Sequence, residues 1–193
     1  MNAEIISVGT ELLLGAVVNT NAQYLAQGLA ALGFGVYYQT VVGDNPARLR
    51  WVVETAKARS QVLVFTGGLG PTDDDLTKAT VAEVFNDTLA MDPEEMAKIE
   101  AFFVKRGLPM GPNNAKQAML PQKGGKLPNP NGTAPGAGFH DGGCTAFLPP
   151  GPPREVQPLF ENPGRPLLAP RRAGNIRRQA LRALVGRGAV RAT

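Results

Sequence analysis

Val62-Leu63-Val64-Phe65 is apolar at every position and runs directly into Thr66-Gly67-Gly68-Leu69-Gly70-Pro71-Thr72-Asp73-Asp74-Asp75-Leu76-Thr77. An apolar run without alternation reads as a strand buried on both faces. Helical spacing begins after the aspartates, so the segment is a strand, a glycine-rich turn and a helix start. This unit belongs to a sheet covered by helices on both sides. Glycines let the backbone adopt positive φ and approach a ligand closely. Free N–H groups at a helix start attract an anion. Three aspartates beside an anion are contradictory unless a cation lies between them, so a divalent metal bridging carboxylates and a diphosphate is expected.

The rest of the first hundred residues repeats the same grammar. Glu4–Val8 is a strand, and Asn21–Leu32 is a helix with Leu25, Leu29 and Leu32 on one stripe. Gly33 and Gly35 end that helix, and Val36–Val42 is a second strand. Asn45 caps a helix with Pro46 at its first position; Leu49, Val52, Val53 and Ala56 form its apolar face. Val81, Val84 and Phe85 mark the helix after Asp73. Asp92-Pro93-Glu94-Glu95 opens another, with Met96, Ile99 and Phe103 on one stripe. The fold class is α/β, a three-layer αβα sandwich on a mostly parallel sheet. In such sheets ligands lie beyond the carboxyl ends of the strands. Residues 9–15, 43–45 and 66–75 are therefore expected to meet in one crevice. From Pro109 to Pro153 proline, glycine and asparagine dominate, which predicts a long loop, functional or disordered, containing one strand at Ala146-Phe147-Leu148. Pro158 interrupts a last helix over residues 154–160.

Charge separates the chain into unequal parts. The formal charge of +4 arises after Glu161, where eight arginines occur with no acidic residue. The preceding body is net negative. Residues 1–168 are read as one domain and 169–193 as an Arg-rich tail, a linker or truncated module. Without interleaved aromatics the tail predicts no specific nucleic-acid binding. No apolar run nears the roughly 20 residues of a membrane span. The N-terminus has no basic, long apolar leader. One cysteine, Cys144, excludes an internal disulfide. These features favour the cytoplasm. No Ser-His-Asp set, zinc spacing, GxxxxGK[ST] loop or nudix signature occurs. His140, the only histidine, reads as structural or exposed, and Trp51 and Cys144 as packing residues.

Seven segments in order carry a family resemblance: residues 7–15, 19–22, 42–45, 66–77, 114–118, 129–136 and 150–155. They resemble the N-terminal domain of the CinA (competence/damage-inducible) family, which is similar to the molybdopterin-binding proteins MoaB and MogA. The resemblance implies a MoaB/MogA-like fold and a metal-dependent ADP-ribose pyrophosphatase activity. Asp75 and Asp44 correspond to the acidic positions of those relatives and are the expected catalytic pair and metal ligands. Asp73 and Asp74 read as caps. The expected ligand-binding residues start with Thr10, Glu11 and Asn21, although Asn19 and Asn21 also read as helix caps. They continue with Thr66, Gly67, Gly68, Gly70 and Thr77, the last bonding phosphate or Asp75. Lys116 is expected to meet a phosphate or to be a solvated lysine. Gly132, Thr133, Pro135 and Gly136 form a second small-residue loop. Gly151-Pro152-Pro153, ahead of Arg154 and Glu155, forms a third wall. Pro149 and Val156 depart from the family's usual residues.

The expected cofactor is a divalent metal ion, and the expected partner is a small nucleotide-like ligand, ADP-ribose being favoured. A homo-oligomer is compatible with this reading; a membrane partner is not. The alternatives are a molybdopterin or other nucleotide-like cofactor protein without hydrolase activity, and an inactive truncated domain.

Overall fold

The computed structural model describes residues 1–72 and 75–168. The Arg-rich tail expected at 169–193 and the caps expected at Asp73 and Asp74 lie outside the described residues. The chain forms β1 (Asn2–Val8), a short α1 (Thr10–Leu13), α2 (Thr20–Ala31), β2 (Gly35–Val42), α3 (Pro46–Arg59), β3 (Val62–Thr66) and α4 (Thr77–Val84). It continues through β4 (Leu89–Met91) and α5 (Pro93–Arg106) to a 3-10 turn at Pro112–Ala118. Then come β5 (Met119–Pro121), β6 (Gly125–Leu127), β7 (Gly136–Asp141) and β8 (Cys144–Leu148). The described residues end with α6 (Pro153–Leu159), a π-helical turn (Phe160–Gly164) and α7 (Arg165–Leu168).

The main sheet has six strands in the order β2-β1-β3-β8-β7-β6. The first four are parallel; β7 and β6 add antiparallel. One face packs on α3 and α4 through Ile6, Leu63, Phe65, Leu49, Val53 and Val81. The other packs on α2, α6 and α7 through Ile5, Val64, Leu25, Leu29, Phe147 and Phe160. Each large side chain buried this way contributes about 1.5–3 kcal/mol. The layers are α, β, α, as expected. Side chains cap the helices as their sequences suggest: Asn19 accepts from Ala22 N, Asn45 from Arg48 N and Asp92 from Glu95 N. Gly107, with φ of 64°, ends α5.

The long loop expected between Pro109 and Pro153 is corrected. β5, β6 and β7 lie within it, and β8 is longer than the three residues expected. Gly142 and Gly143, with φ of 55° and 87°, make the two-residue turn of a β7–β8 hairpin. Trp51 is also corrected: it is 67% exposed, because α3 buries the opposite stripe. Cys144 is buried, and His140 Nδ1 lies 3.2 Å from Thr145 Oγ1. Among the described residues no helix is long and apolar enough to cross a membrane.

Candidate functional site at the strand ends

The chain leaves β1 toward β2 on one side and later returns as β3 on the other. This reversal opens a crevice at the carboxyl ends of β1 and β3. Asp44, just after β2, clasps the loop after β1. Its Oδ2 accepts from Thr10 N at 2.9 Å and from Thr10 Oγ1 at 2.8 Å. Glu11 folds back over Gly9, where an added Cβ would lie 2.5 Å from its Oε1. Asn19 caps α2 and donates to Ser7 Oγ at 2.9 Å.

The turn after β3 depends on glycine. Gly67 has φ of 90°, and a Cβ there would strike Val8 O; Gly68 has φ of 68°, and a Cβ there would strike Thr77 Oγ1. Thr77 is fully buried, and its hydroxyl has no hydrogen-bond partner among the described residues. The expected bond from Thr77 to Asp75 is therefore absent. Asp75 instead stabilises the turn: its Oδ2 accepts from Thr72 N at 2.8 Å and Thr72 Oγ1 at 2.5 Å. That carboxylate lies against Gly70, 2.6 Å from where a Cβ would stand. α4 begins at Thr77 with no side-chain cap. Beside it Lys78 is 7% exposed and donates to Gln117 O at 3.0 Å. Burial pulls its pKa down from 10.5 to about 8.

The third wall comes from residues 129–136 and 149–155. Asn21 does not cap α2 but donates to Gly151 O at 2.7 Å. Gly151 then faces Gly67: a Cβ on it would lie 3.6 Å from Gly67 Cα. Asn129 Nδ2 binds Ala134 O at 2.9 Å and Glu155 Oε2 at 2.7 Å, and Asn131 Nδ2 binds Arg154 O at 3.2 Å. These bonds fasten the 129–136 loop to the start of α6.

Two cavities flank the Gly67–Gly151 contact, and Gly151 lines both. The smaller, about 170 Å³, is bounded by Glu11, Val17, Val18, Asn21, Thr66 and Gly67. The larger, about 270 Å³, is bounded by Gly70, Arg106, Gln117, Gly132, Thr133 and Glu155. Not every expected residue reaches them. Pro135 and Gly136 are buried, and Gly136 packs against Leu148 O and Leu159 in β7. Lys116 is exposed on the 3-10 turn and lines neither cavity. Phe102 and Arg106, one turn apart on α5, enter the larger cavity although their sequence reads as ordinary helix surface. The guanidinium of Arg106 stacks over Phe102 at 4.3 Å.

Asp44 and Asp75 each commit Oδ2 to a local threonine and leave Oδ1 without a partner among the described residues. A carboxylate oxygen of this kind can ligate an oxygen-preferring divalent cation, but neither Asp44 nor Asp75 lines either cavity. Among the described residues, no three His, Cys, Asp or Glu side chains gather into a metal-holding group. No hydrogen bond joins Asp44 to Asp75.

Comparison with known proteins places this arrangement. A family model described as "Probable molybdopterin binding domain" matches residues 4–170. A protein of Caldicellulosiruptor bescii named "Putative competence-damage inducible protein" is 54% identical over 168 residues, covering 87% of this chain and 41% of the relative. A CinA-like protein of Nostoc punctiforme is 54% identical over 169 residues, again 41% of its length. The chain thus spans about two fifths of these curated relatives. The crystal structure of the protein CinA from Thermoplasma acidophilum is similar with a TM-score of 0.75 and 35% identity, over 83% of this chain and 94% of that one. MoaB of Thermus thermophilus, at 19% identity, shares the fold with a TM-score of 0.58 over 96% of both chains. The chain belongs to the CinA family through its molybdopterin-binding-type domain.

Proposed function

We propose that the domain hydrolyses the diphosphate of ADP-ribose to AMP and ribose 5-phosphate with the help of a divalent metal ion. The observation that carries this reading is the pair of cavities meeting at the Gly67–Gly151 contact. A two-ended ligand fits such a cleft, with its ends in the cavities and its diphosphate over the glycines. Only residues without side chains leave room for a phosphate chain there. The buried Thr77 hydroxyl beside Gly68, without a partner among the described residues, would supply a donor for a phosphate oxygen reaching that turn. An unsatisfied hydroxyl costs about 1–3 kcal/mol, which a bound ligand would relieve.

Asp44 and Asp75 would hold the cation through their Oδ1 atoms. Such an ion, when bound, would neutralise phosphate charge and polarise a phosphorus–oxygen bond. Thr10 and Thr72 fix the two carboxylates, so their free oxygens are presented without rearrangement. As the alternative to a ligand role, Asp75, beside the cavity-lining Gly70, would use its Oδ1 to orient the attacking water and take its proton. Water oxygen bonds to one phosphorus as the bridging phosphorus–oxygen bond breaks, and the departing phosphate keeps the electron pair. Phosphoryl transfer relies mainly on positioning and electrostatics, so this sparse set suffices. The cytoplasm is the compartment assigned to the reaction.

The test is AMP release from ADP-ribose across a series of divalent ions, with calorimetry of ADP-ribose and molybdopterin alongside. Release of AMP that disappears in Asp75→Asn, with unchanged folding, supports the proposal. Tight molybdopterin binding without AMP release selects the cofactor-binding alternative, and a folded protein binding neither ligand selects the inactive domain.

A further inference from the structure

The larger cavity has a polarity that the hydrolase reading leaves unexplained. Arg106 stands at its mouth, held by the face of Phe102 and without a carboxylate partner among the described residues. Stacking on an aromatic face fixes a guanidinium without consuming its N–H donors. Glu155 lines the same cavity at 6% exposure. Asn129 occupies its Oε2, whereas Arg154 Nε stays 3.8 Å from Oε1, beyond hydrogen-bond length. One buried acceptor and one free cation therefore share a space of about 270 Å³. Gly132 wraps that carboxylate so closely that an added Cβ would strike Oε2.

A purely anionic ligand would be repelled by Glu155, and a purely cationic one by Arg106. A ligand carrying both an anion and hydroxyl donors satisfies both. The adjoining cleft of about 620 Å³, lined by Ile99, Pro128, Pro158 and Leu159, lacks this polarity. Its cation, Lys98, is tied to Glu94 and Glu95 at 2.8 Å each. We infer that the Arg106–Glu155 cavity is a sugar-phosphate subsite: Arg106 receives phosphate oxygens, and Glu155 Oε1 accepts from sugar hydroxyls. This deepens the ADP-ribose reading and rests on it for orientation. It places the ribose-phosphate half beside α5 and the nucleoside half beyond the Gly67–Gly151 contact.

Calorimetry with ribose 5-phosphate tests the subsite without requiring hydrolysis. The wild-type chain is expected to bind it at millimolar concentration. Arg106→Ala, an exposed change that leaves the core intact, is expected to weaken binding about ten-fold or more. Glu155→Gln is expected to weaken ribose 5-phosphate more than inorganic phosphate, with thermal denaturation reporting its folding. Unchanged ribose 5-phosphate affinity in Arg106→Ala overturns the inference, as does a wild-type chain that binds no ribose 5-phosphate. Arg106-dependent binding by a protein that cleaves no ADP-ribose overturns the hydrolase and leaves the subsite standing.

Discussion

Gly151→Ala separates the ligand path from the fold. Gly151 has no positive φ requiring glycine, and a Cβ on it would meet only Gly67 Cα at 3.6 Å and Gly67 N at 3.9 Å. Those are ordinary van der Waals distances, so the methyl group fits the empty protein. Replacing glycine by alanine at a compatible backbone stiffens the unfolded chain and adds about 0.4–1 kcal/mol of stability. With ligand present, the same methyl occupies the ridge between the two cavities. Forcing one carbon into filled space costs about 1–3 kcal/mol. At about 1.36 kcal/mol per decade this is roughly a 5- to 150-fold loss in kcat/KM for ADP-ribose. The assay pairs AMP release with a thermal melt. The expected outcome is an unchanged or raised Tm together with the kinetic loss. Wild-type kcat/KM in a folded variant would show that no ligand crosses Gly151, and the two-ended cleft would fall.

Thr77→Val removes a buried hydroxyl that has no partner among the described residues, so Tm should hold or rise; ADP-ribose affinity measured by calorimetry should fall if that hydroxyl serves a phosphate. Gly68→Ala demands positive φ and collides with Thr77 Oγ1, and a loss of about 1–3 kcal/mol is expected in urea denaturation. Asp44→Asn should abolish AMP release while its side-chain oxygen still accepts from Thr10, leaving the melt within about a degree or two per few tenths of a kcal/mol. Lys78 has a folded pKa of about 8 against 10.5 when exposed, so the unfolded chain binds more protons between those values. Its contribution to stability therefore rises from about pH 8 to 10.5, and Lys78→Met should flatten that part of the urea-midpoint profile.

These expectations draw on features of unequal legibility. The parallel half of the sheet was readable because β3 is an unbroken apolar run, β1 carries Ile5, Ile6 and Val8, and the neighbouring helix α3 starts with Asn45-Pro46. Local chemistry and tertiary structure agree there. The antiparallel half was not readable from propensity, because Gly136-Ala137-Gly138 and Gly125-Lys126-Leu127 are poor strand formers held by their neighbours. The Asp141-Gly142-Gly143-Cys144 turn was the available signal for the β7–β8 hairpin. At the site, the glycines of residues 66–70 announced a close backbone approach. Nothing local announced Arg106 or the pairing of Asn21 with Gly151, which lie 130 positions apart.

That division explains how the site is built. Much of the cavity-side backbone is supplied by glycines such as Gly67 and Gly68, whose positive φ other residues adopt only with strain, so it is encoded locally. The polar partners are supplied by Asn21, Asn129 and Arg106, each projecting from a helix or loop that the sheet brings near. A polar side chain on an exposed helix surface looks the same whether it faces water or a cavity. Double substitution resolves the two contributions: Asn21→Ala loosens Gly151 by removing a 2.7 Å bond, and should blunt the kinetic effect of Gly151→Ala if the methyl acts by narrowing the ridge. Additive losses would mean that Asn21 and Gly151 act on the ligand independently, and that the ridge is not a single mechanical element.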